Sequence, residues 1–167
     1  MNEISKPSLI KRVLLNGPVI LLFISVLNVS NFNYFSFNLT YILIFYCGLR
    51  KNINLGYMLI FLAGIINDTV NNLPIGLSSL TYLLICVSAS YLRTITLKPS
   101  LLKDLIYFLF TILVVNSLSY ILLILIFSIS IEYTSLLKDV LFTFLLYFLF
   151  AHLFRFYEKT IIRNLDV

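Results

Sequence analysis

Six apolar segments follow one another along the chain and are separated by short polar turns. They cover about residues 13–29, 34–49, 55–70, 77–92, 105–131 and 140–156. A membrane-spanning helix needs about 20 predominantly apolar residues to cross a hydrocarbon core of about 30 Å. The pattern therefore predicts an all-α fold with a single domain over residues 1–167, a polytopic integral membrane protein built as a six-transmembrane-helix bundle.

The second and third segments are short, which leaves re-entrant half-helices as an alternative to full crossings. That alternative would place Arg50 and Lys51, which separate the two segments, in the middle of the membrane. Each charge there would cost at least about 2.5–3.5 kcal/mol. Two full crossings avoid this cost, and snorkelling side chains with local thinning of the bilayer can absorb the missing length.

The basic residues predict the orientation of the bundle. Short cytoplasmic loops are enriched in Lys and Arg. With six crossings and cytoplasmic N- and C-termini, the outer turns hold only Lys138 and the cytoplasmic segments hold all the other basic residues. The residues expected to set the topology between the helices are Arg50, Lys51, Arg93, Lys98 and Lys103.

Composition excludes several classes of protein. The chain is 60% hydrophobic and 11% charged, whereas soluble domains are about 45–50% apolar and about 25% charged. The net charge of +5 then indicates anchoring to membrane lipids at the cytoplasmic face, not nucleic acid. Abundant Ile, Phe, Tyr and Asn are typical of an AT-rich coding sequence, so single Asn residues receive little weight.

Few residues of the sequence are suited to catalysis or to metal binding. The single histidine, His152, cannot build a metal site, which needs three or four ligands. Cys47 and Cys86 form no metal-binding or redox spacing, and Asp104 is interpreted as a solvated partner of nearby basic residues. The sequence predicts no catalytic residues, no cofactor and no metal, and hence a protein that is not an enzyme.

One segment carries an acidic residue at the end of an apolar run. Gly64 precedes Asp68 by four residues, and Pro74 and Gly76 follow before the fourth helix. A carboxylate beside lipid is costly unless it is paired or wetted. We expect Asp68 to turn inward and accept free backbone N–H groups where helix four opens. Pro74 is expected in the first turn of that helix, and Gly64 and Gly76 at close backbone contacts.

This segment, with its G-x-x-x-D stretch followed by P-x-G-L, resembles the rod shape-determining protein MreD family. Chain length, six spans and very short loops are also similar. The resemblance implies a non-enzymatic component of the cell-elongation machinery (the elongasome) in the bacterial inner membrane. Its expected partners are MreC and, through it, MreB, RodA and penicillin-binding protein 2.

Two functional hypotheses follow. The first is a multi-pass membrane component that helps to scaffold or regulate peptidoglycan synthesis and cell shape, with Gly64, Asp68, Pro74 and Gly76 as a structural or partner-contact motif. The alternative is the substrate-binding component of a transporter for a vitamin-type small molecule. A polar cavity would be needed for that role, and the turn at Asn67–Asn72 with Asn116 and Ser119 could line one.

Overall fold

The computed structural model describes residues 17–27, 38–50, 56–96, 100–127 and 133–165. Every regular element in these ranges is an α-helix, so the fold is all-α. The six helices of the described ranges are α1 (Gly17–Leu27), α2 (Leu39–Leu49), α3 (Tyr57–Val70), α4 (Leu77–Ile95), α5 (Leu101–Phe127) and α6 (Tyr133–Leu165).

Each helix falls within or around one of the six apolar segments, but several ends differ. Parts of the first, second, third and fifth predicted segments, and the turn that holds Lys51, lie outside the described residues. Helix α5 begins at Leu101 rather than 105, and α6 runs from Tyr133 to Leu165 rather than from 140 to 156. The sequence prediction ends each helix at the first charged residues beside its apolar segment. Charged side chains are compatible with a helix, so the helices continue beyond the apolar stretch.

Two helices form the centre of the bundle. Helix α2 contacts α1, α4 and α6, whereas α4 contacts α2, α3 and α5; α5 also packs on α6, and α1 on α3. All seven residues from Ile42 to Gly48 in α2 are buried. The 11 residues of α2 are only about 16 Å long, which is shorter than a hydrocarbon core of about 30 Å, and its neighbours enclose its centre.

Aromatic side chains hold the two long helices against α2. Phe45 of α2 lies between Phe108 of α5 and Tyr147 of α6, with ring centroids 4.9 Å and 5.7 Å away. The rings of Phe108 and Tyr147 stack on each other at 4.1 Å. Aromatic pairs at such distances are stabilising beyond the area that they bury. This cluster is therefore the packing centre of the α2, α5 and α6 side of the bundle.

The helices alternate in direction, which gives the bundle two distinct ends. At the basic end, Arg50 closes α2, Arg93 lies in the last turn of α4, and Asp104 in the first turn of α5 contacts Arg155 of α6. At the hairpin end, a six-residue turn (71–76) connects α3 to α4. We call this segment the hairpin turn.

Two helices of the described ranges are long and apolar enough to cross a membrane. These stretches are Leu101–Ile126 in α5 and Leu137–Phe156 in α6. Helices α2 and α3 are apolar but shorter. The most apolar window of α5 is 28% buried and that of α6 is 22% buried. Most residues of both windows are therefore half-buried or exposed.

Candidate functional site: the α3–α4 hairpin

Helix α3 ends in a closed turn that begins at Asp68. The N–H of Leu73 donates to the carbonyl of Asp68 at 2.9 Å, and that of Asn71 to Asn67 at 3.0 Å. Between them, Asn72 has a φ of 53°. A left-handed residue just after the helix and a bond back across six residues are the features of a Schellman motif. Asn tolerates this conformation better than other non-Gly residues.

A second turn leads into α4. The N–H of Leu77 donates to the carbonyl of Pro74 at 3.2 Å, which places Ile75 and Gly76 at the two central positions. Gly76 has a φ of +100° and a ψ of −14°. The third position of a type II turn requires such a positive φ, and glycine adopts it without steric cost.

This geometry corrects two expectations about the motif. Helix α4 begins at Leu77, so Pro74 precedes the helix and does not lie in its first turn. A Cβ atom at Gly76 would meet no other described residue within 4 Å, so close backbone contact does not explain this glycine. Its backbone conformation does, because a turn must reverse the chain within the few residues between the two helices.

The carboxylate of Asp68 lies under the start of α4 and is fully buried, with 0% exposure. Its Oδ2 accepts the N–H of Gly76 at 2.7 Å, and its Oδ1 accepts that of Ser78 at 3.0 Å. These N–H groups belong to the set that a helix start leaves without intrahelical partners. The predicted inward orientation and hydrogen bonds of Asp68 are therefore confirmed.

Asp68 thus replaces the capping side chain that α4 lacks. The residue at the N-cap position, Gly76, has no side chain to accept a backbone N–H. A carboxylate from the preceding helix supplies the acceptor, and its negative charge is favoured at the positive end of the helix dipole. Asp68 contributes its carbonyl to the end of α3 and its carboxylate to the start of α4, and so connects both helices at one residue.

Gly64 sets the distance between the two helices. A Cβ atom at this position would overlap Cα and N of Ser79 and lie 2.6 Å from its Oγ. The hydroxyl of Ser79 also donates to the carbonyl of Phe61 in α3 at 3.0 Å. Small residues allow helices to approach closely and hydrogen-bond across the interface. The predicted close contact at Gly64 is confirmed.

Asn67 is a further member of the site, which the sequence analysis considered only as part of a transporter cavity and not as part of the hairpin motif. Its Nδ2 donates to Oγ of Ser78 at 2.9 Å, beside the N–H that Asp68 accepts. Asn residues had been discounted because of the compositional bias of the chain. The position directly before a buried carboxylate, in a polar stretch that runs to Asn72, was the signal that could have identified it.

Of the residues expected to set the topology, Arg50 and Arg93 are in contact with each other. An Nη1–H of Arg93 donates to the carbonyl of Arg50 at 3.4 Å, which joins the ends of α4 and α2. The Arg50 guanidinium lies over the ring of Tyr46, 5.1 Å from its centroid, in a cation–π geometry. Lys103 is exposed in the first turn of α5. Lys51 and Lys98 lie outside the described residues.

Asp104 differs from the expected solvated residue. Nη2 of Arg155 donates to its Oδ2 at 2.8 Å, and the side chains are 11% exposed for Asp104 and 30% for Arg155. A largely buried carboxylate needs a partner, and a cation 51 positions along the chain provides it. The pair connects the start of α5 to α6.

The hairpin turn leaves a small surface for contacts with other molecules. Asn71, Asn72, Leu73 and Ile75 are exposed there, and Ile75 reaches 76%. No set of three His, Cys, Asp or Glu residues within the described ranges could hold a metal ion. The arrangement is a hydrogen-bonded turn with exposed apolar and amide side chains.

Comparisons of this chain with protein-family models, with curated proteins and with solved structures found no match.

Proposed function

We propose that this chain is a multi-pass protein of the bacterial inner membrane, with six crossings and cytoplasmic N- and C-termini. Support comes from the long helices, whose outward sides are apolar over many turns. On α5 these side chains include Ile106, Phe110, Leu118 and Leu125. Soluble monomers rarely expose contiguous apolar patches above a few hundred Å², whereas lipid chains cover such a surface without cost.

The distribution of charge supports the proposed orientation. Among the described cations, Arg50, Arg93, Lys103 and Arg155 lie towards the basic end, and Lys138 lies near the start of α6 at the other end. Short cytoplasmic loops carry the excess of Lys and Arg. The basic end is therefore assigned to the cytoplasm and the hairpin turn to the periplasmic side.

We further propose a non-enzymatic role in the cell-elongation complex, where the chain helps to scaffold or regulate peptidoglycan synthesis and thereby cell shape. The observation that carries this proposal is the hairpin. Gly64, Asp68, Pro74 and Gly76, the residues on which the resemblance to the MreD family rests, take part in one compact unit. Their spacing is compatible with one hydrogen-bonded turn between α3 and α4.

The proposed partner of this turn is MreC, which would link the chain to MreB, RodA and penicillin-binding protein 2. Asp68 is buried and bonded to backbone N–H groups, so its side chain holds the turn and does not itself touch a partner. Contact would come from the exposed tip, above all from Ile75. Membrane lipids surround the remaining surface.

Capture of MreC from the same bacterium by the tagged, membrane-embedded protein tests this role. Ile75→Ser alters the tip, and Ile95→Ser alters an exposed position at the opposite end of the same hairpin. We expect Ile75→Ser to lower capture at least severalfold, while Ile95→Ser captures as the parent does. Asp68→Asn, if it accumulates normally, is expected to weaken capture through a displaced turn.

Undiminished capture by both Ile75→Ser and Asp68→Asn would show that the hairpin turn is structural only. Failure of the parent protein to capture MreC would overturn the proposed complex.

A further inference from the structure

The bundle has sides of unequal height. Helix α3 spans 14 residues, or about 21 Å, and both of its ends are described, at Gly56 and Asn71. Helix α5 spans 27 residues, or about 40 Å. The hydrocarbon core of a bilayer is about 30 Å thick, so α3 is shorter than this thickness and α5 is longer.

The short helix presents its apolar side chains outward. Tyr57, Met58, Phe61 and Leu62 are exposed along α3, and the outward positions become polar at Thr69. From Tyr57 to Thr69 the helix rises only about 18 Å. Leu73 and Ile75 are exposed in the turn that follows, but the exposed apolar stretch of α3 itself is shorter than a bilayer core of about 30 Å.

The long helix presents an apolar surface of a different height. On α5, exposed apolar side chains extend from Leu102 to Ile126, a rise of about 36 Å. No residue of α5 that the structure describes beyond Ser119 is buried. Tyr120 to Ile126 are therefore half-buried or exposed.

Tilting the bundle does not remove this difference. A tilt can shorten the projection of α5 along the bilayer normal, but no tilt makes the projection of α3 longer than its own length of about 21 Å. Sliding of α3 along α4 is prevented as well, because Gly64 is in contact with Ser79 and Asp68 is bonded to Ser78.

We infer that the α3 side of this protein thins the adjacent bilayer and preferentially associates with short acyl chains, while the α5 side does not. The inference rests on the proposed membrane location. A mismatch of several ångströms costs fractions of a kcal/mol per ångström, and lipids with shorter chains relieve it. The occupant of the α3 surface is thus a locally thin layer of lipid.

Site-resolved tryptophan fluorescence can test this inference, because the sequence contains no Trp. Phe61→Trp reports on lipid beside α3, and Phe110→Trp, also at an exposed Phe, reports on lipid beside α5. Each variant is reconstituted into vesicles that mix brominated and unbrominated phosphatidylcholines with chains of 14, 18 or 20 carbons. Quenching yields the relative association of each chain length at each site.

At Phe61→Trp we expect 14-carbon chains to be preferred over 20-carbon chains by at least about threefold. At Phe110→Trp we expect no preference or the reverse one. A second substitution, Thr69→Leu, extends the apolar side of α3 by one position and should reduce the preference at Phe61→Trp. The matching change on α5, Ser117→Leu, should leave it unaltered.

Equal chain-length preferences at the two tryptophan positions would overturn the inference and leave the membrane location intact. Absence of quenching by any brominated lipid at both positions would instead refute the membrane location itself. The two failures are therefore distinguishable.

Discussion

The buried carboxylate of Asp68 accepts the backbone N–H of Ser78 at 3.0 Å across the hairpin turn. This bond, with the one from Gly76, caps α4 from the preceding helix. The α3–α4 connection therefore depends on one acidic residue that the sequence already marked as costly to leave without partners.

Replacement of Asp68 by Ala should destabilise the protein by about 2 kcal/mol or more, because two N–H groups at the helix start lose their acceptor. Asp68→Asn should have a smaller effect, since one oxygen remains as an acceptor. Thermal unfolding in detergent can be followed by a thiol-reactive dye, as Cys47 and Cys86 are buried until the chain unfolds. Thr69→Ala at the exposed neighbouring position is the control, and an equal loss there would contradict the capping role.

Substitution of Gly64 by Ala should lower the free energy of unfolding by about 1–3 kcal/mol, the usual cost of overpacking. The added Cβ would overlap the backbone of Ser79, which cannot move as a flexible side chain would. Gly56→Ala is the matched control, since a Cβ there meets no described residue within 4 Å. The same thiol-reactive assay ranks the two, and similar unfolding temperatures would argue against the close contact.

Replacement of Gly76 by Ala should cost about 1–2 kcal/mol, because an L residue is strained at positive φ. Gly76→Asn should cost less, as Asn tolerates such backbone better than Ala. This order separates backbone strain from a steric clash, since Asn is the larger side chain. A greater loss for Asn than for Ala in thermal unfolding would refute the conformational explanation.

The Asp104–Arg155 ion pair should show a measurable coupling energy. Arg155→Met leaves a largely buried carboxylate without its cation and is expected to destabilise the protein by about 1–2 kcal/mol. The double variant with Asp104→Asn should lose less than the sum of the single variants. Lys103→Ala, at an exposed neighbouring site, serves as the control, and strictly additive losses would show that the pair contributes nothing.

Labelling in intact cells should distinguish the two ends of the bundle. Asn52→Cys, next to the topology-setting Lys51, should react with a membrane-impermeant thiol reagent only after the cytoplasm is opened. Ile75→Cys, at the hairpin tip, should react from outside. The parent protein gives the baseline, because both native thiols are buried. Labelling of residue 52 from outside would contradict the six-crossing arrangement.

The sequence alone was sufficient to predict the all-α fold class and two contacts of the hairpin, the hydrogen bonds of Asp68 and the close approach at Gly64. Long apolar runs must satisfy their backbone groups locally, which favours helices. A carboxylate at the end of such a run must find donors, and the free N–H groups of the next helix were the nearest along the chain. For the same reason Gly64, within an apolar helix, indicated a close contact, which Ser79 provides.

Only the tertiary structure decided which helix is enclosed and which is exposed. Hydropathy does not distinguish α2, whose centre is buried, from α3, whose outer side is exposed, because an apolar side chain is equally suited to protein and lipid surroundings. The partner of Asp104 could not be read from its neighbours either, since Arg155 lies 51 positions away. Gly76 is needed for its positive φ angle. That angle follows from the path of the turn between two packed helices, which the local sequence does not reveal. The local sequence indicates how much free energy the burial of each residue would cost. Only the packing of the helices determines which neighbours compensate for it.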